Sequence, residues 1–366
     1  MEKAQVKRKL RFGVIGAGDF AEVCHIPGLQ SHPRAEVVAL CGRRFDHARA
    51  MADRLGVPDV HTDFRELCAR DDLDGVTIAT PNVCHAEQAL VAFHHGKHVF
   101  CEKPLGMTVA EAEEMVCAAE ISGKVHQVSF TFRCTYSVRE LRRRLLAGDI
   151  GEPYYVRVQY DSWVGLQSNW KVGWRENREL AGGGMVYDLG SHLFDIVCFV
   201  LGPLKKVTGF VHNIPRQRPD QQTGRRVEVE TDDIAAAFFR HKSGVRGQWF
   251  ISRATPCHAE NGYLEVIGPE GALKASLSRG TIDVLKVSRP NRPEWEVAPL
   301  PEEADDRTPH CLRVMMRSFV SACLRGAPDD QLDASFHDGL AAQKAIAAVL
   351  QANENLTWES LNHRFA

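Results

Sequence analysis

The stretch Leu10-Arg-Phe-Gly-Val-Ile15-Gly16-Ala-Gly18-Asp19-Phe20-Ala21 decides the fold. Leu10 to Ile15 is a short, mostly apolar run that predicts a strand. Ala21 to Gln30 carries a helical pattern, and Gly-x-Gly-x-x-Ala lies between the two. In that arrangement the first glycine allows a tight turn and the second lets the backbone approach a pyrophosphate. The small third residue lets helix and strand pack closely. Free N–H groups at the helix start then face the phosphates. Gly16, Gly18, Asp19, Phe20 and Ala21 are therefore candidate dinucleotide contacts.

The same alternation continues for about 125 residues. Strands are expected at Glu36–Cys41, Gly75–Ala79, His98–Cys101 and Val125–Phe130. Helices are expected at Asp46–Leu55, His85–His95 and Val109–Ser122, each stopped by a glycine (Gly56, Gly96, Gly123). Strands alternating with helices predict βαβ units and a mainly parallel sheet. Beyond residue 130 the order changes. Helices are expected at Val138–Leu146 and Met185–Leu201. Strands are expected at Pro153–Ser162, Lys206–His212, Ile234–Arg240, Val245–Arg253, Tyr263–Ile267, Ala272–Ser276 and Thr281–Val287. Pro215–Arg226 and Pro290–Pro309 read as loops, and Leu312–Leu324 and Asp338–Asn353 as closing helices. The expected organisation is an α/β dinucleotide-binding domain over 1–130 and an α+β domain over 131–366. The second would hold a large, mainly antiparallel sheet with one uncovered face, and the last helices would pack back on the first.

The bulk numbers narrow the class. The 366 residues hold 45 Lys plus Arg against 47 Asp plus Glu, a balance that recommends neither nucleic acid nor an anionic membrane. The opening Met1–Leu10 has no apolar core of a secretory signal. Met185–Leu201 is interrupted by Asp188, His192 and Asp195, so a soluble helix is expected there. Eleven cysteines form no Cys-x-x-Cys pair, which predicts reduced, space-filling thiols and a cytoplasmic setting. His94-His95-x-x-His98 lacks a completing ligand, so no metal is expected.

Three further motifs carry chemistry. After the second strand the chain reads Leu40-Cys-Gly42-Arg43-Arg44, where an NAD enzyme usually places a carboxylate for the ribose 2′-OH. Two guanidiniums instead suit a 2′-phosphate, so NADP(H) is favoured over NAD(H). Thr80-Pro81-Asn82, with His85, closes one strand and Glu102-Lys103-Pro104 closes the next. Both belong to the rim where open α/β sheets bind ligands. Gly182-Gly-Gly184 then leads, as flexible glycines, into Asp188 and His192. A four-residue spacing puts these two on one helical face and lets the carboxylate orient the imidazole. Trp163 and Trp170, in an expected loop, offer an apolar platform for a substrate ring.

With these motifs in this order, the chain resembles the glucose–fructose oxidoreductase/inositol dehydrogenase (Gfo/Idh/MocA) family over nearly its whole length. Arg133 and Gly148-Asp-Ile-Gly151 add to the resemblance. It implies an NAD(P)-dependent dehydrogenase or reductase that moves a hydride to or from a secondary hydroxyl carbon of a sugar, sugar derivative or cyclic polyol. It also implies that Lys103 binds the reacting hydroxyl, that His192 is the general acid/base and that Asp188 orients it. Arg175, and with it Arg133, would face the substrate. A homodimer or homotetramer would form through the C-terminal sheet. Two other readings are an NAD-retaining enzyme that cleaves glycosides by transient oxidation, and a non-catalytic nucleotide or sugar sensor.

Overall fold

The computed structural model describes residues 8–167, 170–256, 262–277, 283–300, 307–329, 331–355 and 357–361. It divides into two compact units. One comprises Met1–Gly106, Ala110–Ser129 and Pro309–Leu340; the other comprises Met107–Val109, Phe130–Thr308 and Ala341–Ala366.

The first unit is built on β1 (Leu10–Ile15), β2 (Ala35–Cys41), β3 (Asp59–His61), β4 (Gly75–Ile78), β5 (His98–Cys101) and β6 (His126–Val128). All of the pairings are parallel, in the order β3-β2-β1-β4-β5-β6. β3 and the helix Phe64–Cys68 that follows it were not legible. The strand spans only three residues, none of them buried, so it carries no apolar run to read. Ala21–Gln30 is helical as expected, but begins with a π-turn at Ala21–His25 before Ile26–Gln30. Pro27, which has no N–H to give, sits where the ladder changes. Helix Arg307–Arg325 belongs to this unit, with Phe319 stacked 5.7 Å from Phe12 and 5.4 Å from Phe100. A Cβ on Gly28 would stand 2.5 Å from Met316 Cγ, so glycine sets how closely the first helix approaches this one.

The second unit is built on β7 (Tyr155–Asp161), β8 (Leu204–His212), β9 (Gln217–Pro219), β10 (Arg226–Glu228), β11 (Ile234–His241), β12 (Arg246–Ser252), β13 (Gly262–Gly268), β14 (Gly271–Ser276), β15 (Leu285–Arg289), β16 (Arg292–Ala298) and β17 (Glu359–Ser360). Nine strands form one sheet, ordered β16-β15-β14-β13-β7-β12-β11-β8-β17. β7 runs parallel to β12, and the other pairs are antiparallel. Val156, Val158, Trp249, Ile251, Leu264 and Val266 are buried at alternate positions, the period expected of a sheet with one core face. Helix Gly190–Leu201 lies on that face through Phe194, 5.1 Å from Trp249. Other strands of the same sheet, β8, β11 and β16, leave Phe210, Phe238, Trp295 and Val297 exposed.

Three expectations are corrected in this unit. Pro290–Pro309 is not a loop throughout: Arg292–Ala298 is a strand hairpinned on β15. Pro293 and the charged residues hid it, and both are tolerated because the strand is at a sheet edge. Pro215–Arg226 contains β9, paired with β10 in a two-stranded ribbon. The expected strand at Thr281–Val287 lies instead at Leu285–Arg289, and Thr281 is outside the described residues.

Candidate functional site

β1 is flanked by β2 on one side and β4 on the other, so the strand order reverses there. Chains leaving neighbouring strands in opposite directions open a crevice at their carboxyl ends. Gly16, Thr80 and Glu102 follow β1, β4 and β5, three adjacent strands, so the motifs share one rim.

The glycine turn has the shape a dinucleotide needs. Gly16 has φ +111°, and a Cβ there would press 2.5 Å from the Ala79 carbonyl oxygen. A Cβ on Gly18 would meet no protein atom within 4 Å, so this backbone faces an open cradle. Asp19 is exposed and Phe20 half-buried beside it, while Ala21 is fully buried in the helix. His47 Nε2 lies 3.0 Å from the Ala17 carbonyl and fastens the turn to helix Phe45–Leu55. At Gly42 a Cβ would stand 2.8 Å from that of Ala17 and 3.0 Å from that of Ala48. Any side chain, an aspartate included, is crowded out. The next two residues, Arg43 and Arg44, are exposed. The residues present therefore fit a nicotinamide dinucleotide, held by the turn and the β2 rim.

His85 does not face this crevice as a direct contact. It is fully buried, with Nδ1 2.9 Å from the Pro104 carbonyl and Nε2 3.0 Å from the Thr80 carbonyl. The ring thus clips the loop after β4 to the loop after β5. Burial holds the imidazole below its usual pKa, against the pull of the two carbonyls. Thr80 Oγ1 donates to Gln88 at 2.7 Å, and Pro81 leads into a single turn at Asn82–Cys84 with Asn82 buried. Glu102 is buried and Lys103, one residue on, is half-exposed, so the pair points to opposite sides of the chain.

In the second unit the three glycines prove to be close-packing residues rather than a flexible lead. Cβ atoms on Gly182 and Gly183 would stand 2.7 and 2.5 Å from the Tyr187 ring, and one on Gly184 would stand 2.0 Å from the Asp232 carbonyl oxygen. Asp232 also accepts from the N–H groups of Gly184 (2.7 Å) and Val186 (2.8 Å). These bonds cap the short helix Met185–Asp188. Burial raises this carboxyl above its usual range, against those two N–H groups and the charge of Arg253.

The expected single helix Met185–Leu201 is two helices, Met185–Asp188 and Gly190–Leu201. The chain bends by 42° between Arg178–Asp188 and Gly190–Leu201. Ser191 Oγ donates to the Asp188 carbonyl at 3.2 Å, and such back-bonding bends helices. Asp188 therefore ends one helix while His192 begins the next. His192 is buried against Phe132 (5.0 Å) and Phe130 (5.7 Å), and Asp188 is half-buried.

The remaining expected substrate residues have other partners. Arg133 is buried in a paired contact with Asp195, Nε lying 2.9 and 3.1 Å from the two carboxylate oxygens. Asp195 is three residues past His192, so this pair anchors the histidine's helix. Trp170 packs under Arg253 (4.8 Å) and Arg216 (5.6 Å). Trp163 is exposed, and the exposed Arg175 stacks 4.4 Å over its neighbour Trp174. Arg253 further donates to Asp233 at 2.6 Å and to Thr231 at 3.0 Å, and lies 3.5 Å from Glu176. Sequence reasoning missed Asp195, Asp232, Asp233 and Arg253, since their roles depend on contacts distant along the chain. Among the described residues no group of three His, Cys, Asp or Glu is arranged for a metal. No single described helix is long and apolar enough to cross a membrane.

The oxidoreductase family with an NAD-binding Rossmann fold matches residues 10–130, and the GFO/IDH/MocA C-terminal domain matches residues 138–274. The chain belongs to the GFO/IDH/MocA oxidoreductase family. It is 34% identical over 202 residues to a D-glucoside 3-dehydrogenase of Escherichia coli K12, covering 55% of this chain but only 57% of that relative. It is 34% identical over 265 residues to a 1,5-anhydro-D-fructose reductase of Ensifer adhaerens, covering 72% of this chain and 74% of the other. The crystal structure of an oxidoreductase domain protein from Kribbella flavida superposes with a TM-score of 0.87 at 28% identity, covering 97% of this chain and all of that one.

The glycines separate two roles by substitution. Gly184→Ala places a methyl against the Asp232 carbonyl and is expected to destabilise the protein by about 1–3 kcal/mol, read as a lowered melting temperature. Gly18→Ala is expected to melt like the parent yet bind a reduced nicotinamide dinucleotide at least about tenfold more weakly, read by fluorescence titration. A Gly18→Ala protein with unchanged dinucleotide affinity contradicts the cradle.

Proposed function

We propose that this protein is an NADP(H)-preferring oxidoreductase acting at a secondary hydroxyl carbon of a sugar, sugar derivative or cyclic polyol. The observation that carries this reading is the shared rim. An open glycine cradle after β1 and a half-exposed lysine after β5 belong to strands separated only by β4. Relatives named for sugar substrates support the substrate class.

Gly16 to Ala21, Thr80, Pro81 and Asn82 would hold the dinucleotide, with Arg43 and Arg44 on the 2′-phosphate. Bound there, the nicotinamide supplies the acceptor or donor of the hydride. Lys103 holds the hydroxyl oxygen and stabilises the negative charge that develops on it. His192 takes the hydroxyl proton in oxidation and returns it in reduction. Asp188 orients the imidazole, and Arg133 with Asp195 keeps the histidine's helix in place. In this reading Glu102 and His85 set the lysine loop rather than touch the cofactor.

The preference for NADP(H) rests on Gly42, where packing leaves no space for a carboxylate, and on the two exposed guanidiniums beyond it. The uncovered sheet face, with Phe238 52% and Val297 69% exposed, supports a homodimer or homotetramer formed through it. Burial pushes the Cys41 thiol up to about 11 and the Cys68 thiol up to about 12, so both stay protonated. Such thiols suit a reducing cytoplasm.

Three outcomes are expected. Lys103→Ala lowers turnover on the best substrate of a sugar and polyol panel by at least about a hundredfold, comparable to losing an oxyanion donor, while NADPH binding survives. Near-parental turnover overturns the lysine's role. Arg43→Ala erases the NADPH-over-NADH preference measured by titration, and a parent that binds NADH more tightly ends the NADP assignment. Light scattering gives a mass at least twice the 40.8 kDa of the chain, and Phe238→Arg lowers it. A monomeric parent contradicts the sheet interface.

A further inference from the structure

The peptide unit joining Ala17 to Gly18 lies at the centre of the glycine turn, and a side chain from outside the turn holds it. Nε2 of His47 is 3.0 Å from the Ala17 carbonyl oxygen. A carbonyl only accepts, so Nε2 carries the hydrogen and donates it. His47 belongs to the first turn of the helix Phe45–Leu55 and is exposed. That helix is set in place without it. Ala48 is fully buried, and a Cβ on Gly42 would stand 3.0 Å from that of Ala48 and 2.8 Å from that of Ala17. Packing therefore fixes the approach of helix to turn, and the imidazole adds a contact that packing does not require.

This bond governs more than the carbonyl. A peptide unit is planar and trans, so the Ala17 carbonyl and the Gly18 N–H point in opposite directions. Holding the carbonyl toward the helix sends the N–H away from it. Nearby groups of the turn have tethers of their own: the Gly16 N–H donates to the Cys41 carbonyl at 2.8 Å, and the Gly18 carbonyl accepts from the Glu22 N–H at 3.2 Å. The unit between them ends on a glycine, which tolerates φ of either sign, so this plane can turn over at little steric cost. Turned over, it would present an oxygen where an anion needs a donor. The open space over Gly18 is where the second glycine of such a turn lets a pyrophosphate approach.

We propose that His47 is a positioning residue for the cofactor: it latches the Ala17–Gly18 peptide so that the N–H, and not the carbonyl, faces the pyrophosphate. The proposal rests on the reading of the glycine turn as the dinucleotide cradle. It concerns a group that NADH and NADPH share, so it stands apart from the choice between them, and its test needs no substrate.

Fluorescence titrations with NADH and with NADPH read the latch. In His47→Leu both affinities fall by the same factor, about tenfold, the scale of one hydrogen bond to a charged group. His47→Gln keeps a side-chain N–H donor and recovers affinity to within about threefold of the parent. The variants melt within about 2 °C of the parent, as exposed substitutions do. If His47→Leu does not fold, His47→Ala carries the test with the same expected loss. In a Gly18→Ala background His47→Leu costs less than about twofold more, because both changes act on one N–H. A folded His47→Leu protein that binds both dinucleotides within about twofold of the parent overturns the proposal. A loss confined to NADPH also overturns it, since that assigns the imidazole to the 2′-phosphate, as does a His47→Gln protein that binds no better than His47→Leu. Failure of the cradle is seen separately, as unchanged dinucleotide affinity in Gly18→Ala alone.

Discussion

The reversal of strand order at β1 is the constraint from which the rest follows. With β2 to one side and β4 to the other, the segments leaving the strands part company and cannot cover the carboxyl end of the sheet. Three loops meet that gap, and each is built for a different job. The glycine turn leaves open space over Gly18, the Thr80 loop is braced by His85, and the Glu102 loop sends one side chain inward and the next outward. His85 joins the last two through carbonyls on both of its nitrogens, so lysine position and strand ends are mechanically linked.

The second unit solves a related problem by tight contact. A short helix has to be fixed at its start, where four N–H groups lack intrahelical partners. Asp232 supplies acceptors for Gly184 and Val186, and the glycines let it come that near. Arg133 and Asp195 then fix the following helix through a buried ion pair. Both devices are buried ion or hydrogen-bond contacts whose loss would expose an unpaired polar group, so they are sensitive to single substitutions.

The βαβ repeat, the glycine turn and the strand-end motifs were readable because each depends on residues close in sequence. Apolar period and glycine stops located five of the six strands of the first sheet; β3, short and unburied, carried no such pattern. The reading of Gly182 to Gly184 as flexible failed because the reason for those glycines is Tyr187 and Asp232, neither visible in a pattern of three residues. Asp188 and His192 looked like a helical pair from their spacing alone. The bend came from Ser191, a residue whose side chain competes with the helix ladder. His47 was passed over as one more residue of the helix Phe45–Leu55, since its partner Ala17 lies 30 residues away.

The central claim is that this crevice delivers a hydride to a carbon bearing oxygen. Reduction of a 1,5-anhydro-D-fructose, aldose or inosose panel with NADPH deuterated at the nicotinamide C4 position tests it directly. One deuterium bonded to the new carbinol carbon of a product, found by mass spectrometry and NMR, is the predicted result. NADPH that binds but transfers no deuterium to any member of the panel, and none in the reverse direction from deuterated alcohols, would contradict it.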